Sequence, residues 1–135
     1  MTSVAEPQSV LIADDDDDIR RLVSVVLAKA GISADAVDGG VAALDAARKF
    51  SRRLIVLDVR MPDLSGLDVC RAIKGDAKTA DSHVLLMSAD YSPADVAAGY
   101  EAGADDYLAK PFSPRELVRR VGRLLVGTGE PPDSD

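Results

Sequence analysis

Five polar residues in this chain each stand where a short apolar run ends. Asp14 and Asp15 follow the run 10–13, Asp58 follows 54–57, Ser88 follows 84–87 and Lys110 follows 107–109. Three carboxylates brought together repel, at roughly 4 kcal/mol per pair for a separation of about 4 Å and an effective dielectric of about 20. A hard divalent cation removes that repulsion, and an all-oxygen donor set with room for water suits Mg²⁺ better than zinc. Lys110 adds a second cation opposite the metal. A carboxylate held between Mg²⁺ and an ammonium group is placed to attack phosphorus, because both cations neutralise the oxygens of a transferring phosphoryl group.

These residues converge only if the runs before them are strands of one sheet. The runs are continuous rather than alternating, as strands covered on both faces are. A weaker strand is predicted over 33–37. Between the runs the pattern turns helical. Ile19, Leu22, Val23, Val26, Leu27 and Ala30 form one apolar stripe, and Gly31 ends that helix. Further helices are predicted over 41–50, 67–76, 93–102 and 114–126. Ser92 opens the fourth helix and Gly103 closes it. Ser113, Pro114 and Glu116 make a capping box for the last, with Leu117, Val121 and Leu124 as its buried stripe. A β-α unit repeated five times predicts an α/β domain with a parallel sheet and right-handed crossovers. The ligand crevice of such a sheet lies beyond the carboxyl ends of its strands, where the five polar residues stand.

Composition narrows the function. The chain has 135 residues, 47% hydrophobic and 29% charged, the size and balance of one folded domain. That domain is expected over 9–127, with 1–8 and 128–135 as flexible tails or a linker stump. Sixteen basic against 23 acidic residues leave a net charge of −7, which argues against nucleic acid or an anionic membrane as the partner of this domain. The single cysteine, Cys70, excludes an intrachain disulfide and any CxxC motif. The apolar stretch 22–28 is too short to span a bilayer, and 1–9 lacks the pattern of a secretory signal. A cytoplasmic location is expected.

The segments LIADDDDDIR (11–20), IVLDVRMPDLSG (55–66), LLMSA (85–89) and DDYLAKPFSP (105–114) occur in this order, each at a strand end. Together they resemble the receiver domain of bacterial two-component response regulators, over nearly the whole chain. The resemblance implies a flavodoxin-like, doubly wound, five-stranded parallel sheet in the order 2-1-3-4-5 with five helices. It implies a phosphoacceptor signalling domain rather than an enzyme: a histidine kinase or phosphotransfer protein donates a phosphoryl group in a Mg²⁺-dependent reaction, and the domain promotes only its own phosphorylation and dephosphorylation. By the same resemblance Asp58 is the acceptor, Asp15 a direct Mg²⁺ ligand, and Asp14 acts mainly through a metal-bound water. Arg60 offers its backbone carbonyl to the metal. Ser88, with the small Ala89 beside it, hydrogen-bonds the phosphoryl group, and Lys110 pairs with one of its oxygens. Ser88 and Tyr107 form the switch, Tyr107 turning from solvent inward as Ser88 moves. The bond before Pro111 is cis in the family. Arg60 and Asp90 stand where the family tunes the lifetime of the phosphorylated state.

The expected output surface is the fourth helix, fifth strand and fifth helix, facing a downstream partner, an output domain or, on phosphorylation, a second copy. Gly99 and several small alanines make the fourth helix the most weakly anchored element. Arg115, Arg119, Arg120 and Arg123 offer charges on that surface.

Other readings are weaker. Asp14, Asp16 and Asp18 alternate like a calcium loop, but Ile19 stands where glycine is needed and Val25 where the bidentate glutamate belongs. A dehalogenase-type phosphatase needs a second aspartate two residues after its nucleophile, and that position is Arg60. A phosphorylation-independent pseudo-receiver is the alternative, and the intact set of five polar residues speaks against it. His83 begins a strand at the end opposite the acids and is read as structural. Cys70 is read as a half-buried core thiol.

Overall fold

Five strands pair in parallel as one sheet, in the order β2-β1-β3-β4-β5, in a computed structural model that describes residues 8–126. They are β1 (Val10–Ala13), β2 (Ala34–Val37), β3 (Leu54–Asp58), β4 (His83–Ser88) and β5 (Asp106–Ala109). The helices are α1 (Asp17–Lys29), α2 (Gly40–Lys49), α3 (Gly66–Gly75), α4 (Pro93–Glu101) and α5 (Pro114–Val126). The continuous apolar runs have a simple cause. Alternate residues of each strand feed two different cores. Leu11, Ala13, Ile55, Leu57, Val84 and Leu86 pack with Ala43, Val69 and Ile73 of α2 and α3. Val10, Ile12, Leu54, Val56, Leu85 and Met87 pack with Val23 and Leu27 of α1 and Leu117 and Val121 of α5. The edge strand β2 has no fully buried residue, which explains its weaker sequence signal.

The register levels the strand ends. Ala13 pairs with Leu57 and Asp58 with Met87, so the residues that follow β1 emerge beside the last residue of β3. Local signals start the helices there. Asp16 caps α1 by accepting from the amides of Asp18 and Ile19 at 2.9 and 3.1 Å. Gly31, at φ +83°, turns the chain after α1.

Several sequence expectations need correction. Within the α1 stripe, Leu22 is 44% exposed and lines a groove between α1 and α5 with Val25, while Ala30 lies exposed at the helix end. The capping box of α5 is half formed. Ser113 Oγ accepts from the Glu116 amide at 3.0 Å, but the Glu116 carboxylate turns to Arg119 and Arg120 because two guanidinium groups one turn away outcompete one amide. Cys70 is fully buried rather than half buried, and burial pushes its thiol up to about 11, far from a nucleophile. Gln8, assigned to the N-terminal tail, is held: its amide donates to Asp35 and its carbonyl accepts from the buried Arg52. The remaining tail residues lie outside the described residues. His83 stands at the start of β4, away from the acids, with Nδ1 3.6 Å from Asp105. Among the described residues no helix is long and apolar enough to cross a membrane.

Candidate functional site

Asp14 leaves β1 fully buried, pinned because its amide donates to the Val37 carbonyl and its Oδ1 accepts from the Asp16 amide at 2.9 Å. Asp15 beside it points to solvent, and Asp58 closes β3 at 6% exposure. One carboxylate oxygen from each of the three lies within 4.8 Å of the others. Lys110, just past β5, spans the gap, with Nζ 3.1 Å from both Asp14 Oδ2 and Asp58 Oδ1. Its backbone amide bonds the Ser88 carbonyl at 2.8 Å, and the Lys110–Pro111 peptide is cis. The five polar residues of the sequence therefore gather at one end of the sheet.

Burial, followed by the negative charge of Asp14, pushes the Asp58 carboxyl above the usual carboxylate range against the pull of Lys110 and the Arg60 amide. For Lys110 burial acts downward, but hydrogen bonds and charge from Asp14 and Asp58 outweigh it and hold the ammonium group charged. A single lysine faces two buried carboxylates, with Asp15 adding a third at the surface. That excess of negative charge and the all-oxygen donor set fit a hard divalent cation. Asp14, Asp15 and Asp58 are the side chains that would hold it.

Ser88 is buried, and its Oγ accepts from the Asp90 amide at 2.9 Å. Asp90, expected only to tune the phosphoryl lifetime together with Arg60, is a structural junction as well. Its carboxylate takes Arg60 Nε at 2.5 Å across the mouth of the site, and its carbonyl accepts from the Tyr107 hydroxyl at 2.5 Å. Tyr107 is only 7% exposed, so the expected outward position of this ring is not the one observed. The reason is Gly99. A Cβ there would lie 2.7 Å from Tyr107 Cδ2, so the bare backbone of α4 leaves the notch that the ring fills. We expect Gly99→Ala to drive Tyr107 toward solvent despite a helix-propensity gain of about 1 kcal/mol. Ring NMR shifts of Tyr107 report this, and an unchanged ring environment means that α4 yields instead.

The arginine set divides. Arg120 is bound internally, at 2.7 Å from Asp106, 2.6 Å from Glu116 and 3.1 Å from the Tyr107 carbonyl. Arg115 and Arg119 line the α1–α5 groove with Lys29. Only part of the set expected on the α4–β5–α5 surface is therefore available there.

Two residues of the stretch after Asp58 matter and were not singled out by chemistry. Gly66 brings its backbone onto that of Asp58: a Cβ there would lie 2.2 Å from the Asp58 carbonyl oxygen. Asp63 accepts from the amides of Gly40 and Val41, at 3.0 Å each. Both lie in the MPDLSG segment, whose glycine was the available signal.

A parallel sheet in this order, with acids, hydroxyl and lysine collected at its carboxyl ends, defines an α/β domain of the receiver class. A family model described as response regulator receiver domain matches residues 10–122, and the chain belongs to that family. It is 40% identical over 121 residues to the transcriptional regulatory protein GltR of Pseudomonas aeruginosa, covering 90% of this chain and 50% of that protein. It is 36% identical over 127 residues to the DNA-binding response regulator MtrA of Mycobacterium tuberculosis, covering 93% and 54%. The chain thus spans about half the length of the curated relatives it matches. Among solved structures, a putative response regulator from Chloroflexus aurantiacus superposes with TM-score 0.83 at 36% identity, covering 90% of this chain and 99% of the other. The chemotaxis response regulator CheY4 of Vibrio cholerae gives 0.81 at 30%, covering 88% and 99%.

Proposed function

We propose that this receiver domain takes a phosphoryl group on Asp58 from a histidine kinase or phosphotransfer protein in the cytoplasm, in a Mg²⁺-dependent reaction. The observation that carries this reading is Lys110 Nζ at 3.1 Å from Asp58 Oδ1 beside the three-carboxylate cluster. Asp15, Asp58 and the Arg60 carbonyl would hold Mg²⁺, with Asp14 assisting through water, and the ion would supply positive charge to the transferring oxygens. The Asp58 oxygen forms the new O–P bond as the P–N bond to the donor imidazole breaks. Lys110 stays protonated and neutralises a phosphoryl oxygen, and the Ser88 hydroxyl donates to another. Water later cleaves the acyl phosphate, so the domain promotes only reactions of its own phosphoryl group.

The signal leaves through Ser88, Asp90 and Tyr107 to the α4–β5–α5 surface, toward an output domain, a partner protein or a second copy. Burial favours this route, because Tyr107 touches both α4 and the Asp90 loop. The net charge of −7 speaks against a nucleic-acid contact by this domain itself. Intact-mass measurement after incubation with acetyl phosphate tests the chemistry. Wild type with Mg²⁺ gains one phosphoryl adduct, while chelation of the metal or Asp58→Asn prevents it. Equal incorporation in wild type and Asp58→Asn would remove Asp58 from the role and favour the pseudo-receiver reading.

A further inference from the structure

The stretch from Asp58 to Gly66 leaves the sheet and returns to it as a closed loop. At its base the Gly66 amide donates to the Val59 carbonyl at 2.8 Å, and the Gly66 backbone presses on that of Asp58. Met61 is buried in the core shared with α2 and α3. Val59, Arg60, Met61, Pro62 and Ser65 of the loop join Asp15 in lining an open surface depression of about 510 Å³. The position of the loop therefore shapes the wall that faces Asp15.

The far side of the loop is held by one side chain. Asp63 accepts from the Gly40 and Val41 amides, the first free donors of α2. Helix α2 has no side-chain cap from Gly39 and no acid in its own first turn, so Asp63 supplies both acceptor and charge from outside the helix. Those two bonds hold its carboxyl below the usual carboxylate range. The glycine pair at 39–40 makes the approach possible. A Cβ on Gly39 would lie 3.0 Å from Asp63 Oδ2, and one on Gly40 would lie 2.5 Å from the Leu64 carbonyl oxygen. Helix and loop are fitted to each other at this point.

We propose that Asp63 is a positioning residue for the metal-binding step: by docking the 59–66 loop on the N-terminus of α2, it holds the Arg60 backbone beside Asp15 and Asp58. Asp63 touches neither metal nor phosphoryl group. The proposal rests on the Mg²⁺ site described above, and its effect is on metal affinity separately from stability.

Calorimetric titration of the phosphoryl-free chain with Mg²⁺ tests it, with melting temperature measured on the same samples. Asp63→Ala raises the Kd for Mg²⁺ about tenfold, the lower end for partners outside the direct ligand set. Adding Gly39→Ser to Asp63→Ala gives α2 a local cap, and this double variant regains melting temperature while its Kd stays raised. Asp63→Asn keeps one acceptor oxygen and lies between, which provides the measurement if the alanine variant does not fold. A Kd within twofold of wild type in the folded Asp63 variants reduces Asp63 to a helix cap and overturns the proposal. So does a double variant that regains both quantities together. A wild-type chain that takes up no Mg²⁺ overturns the metal site itself, and this role with it.

Discussion

Gly66→Ala is expected to destabilise the domain by about 3 kcal/mol, the upper end for forcing a methyl group into a filled space. The added Cβ would meet the Asp58 carbonyl oxygen at 2.2 Å and the Val59 Cα at 2.9 Å. Both are backbone atoms of β3 and the residue after it, so neither can swing away as a flexible side chain would. The gain in helix propensity is small because Gly66 is the first residue of α3. A melting temperature lower by roughly 10 °C is the expected reading for a domain of this size. Gly75→Ala in the same helix is the control. Nothing lies within 4 Å of its Cβ, and it should leave stability unchanged or raise it by a few tenths of a kcal/mol, roughly. Equal melting temperatures for the two variants would mean that α3 shifts freely against Asp58.

Mg²⁺ at about one hundred times its Kd is expected to stabilise the folded chain by about 2.7 kcal/mol, since it binds only where the carboxylates are assembled. Asp15→Ala should abolish most of this response. Asp14→Ala should keep more of it, yet melt lower without metal, because Lys110 loses one of its two buried partners. The metal-free chain also carries a pH signature. The folded pKa of Asp58 is raised, so stability is greatest while Asp58 is protonated in both states and falls as pH rises through the folded pKa. Above that pH the penalty is constant. Asp58→Asn removes it and should melt higher than wild type at neutral pH without metal. Calorimetric scans with and without Mg²⁺, from acid to neutral pH, check all three variants. An undiminished Mg²⁺ response in Asp15→Ala would place the metal elsewhere.

The architecture was legible in the residues for a physical reason. Strands buried on both faces must be apolar throughout, and helices packed on one side must repeat every three to four residues. Runs of both kinds, separated by Gly31, Ser92 and Gly103, leave little choice but a β-α alternation. Asp14, Asp15, Asp58, Ser88 and Lys110 were equally legible, because a polar residue directly after a buried strand has one place to go: the crevice at the carboxyl end. Exposure within a helix was less so. Periodicity puts Leu22 in the α1 stripe, but only the spacing between α1 and α5 decides that it faces a groove.

What tertiary structure alone decided are the contacts between segments far apart in the chain. Asp63 reads as a loop acid until α2 is seen resting its first amides on it, 22 and 23 residues away. Gly99 reads as a weak point in α4 until the Tyr107 ring fills the space that its missing side chain leaves. Arg120 reads as a surface charge, yet it ties α5 to Asp106 and the Tyr107 carbonyl. Hydrophobic period and turn chemistry act over a few residues and are written locally. A cap, a notch or an ion pair needs only that two surfaces meet, and the packing of helices on the sheet determines which surfaces those are.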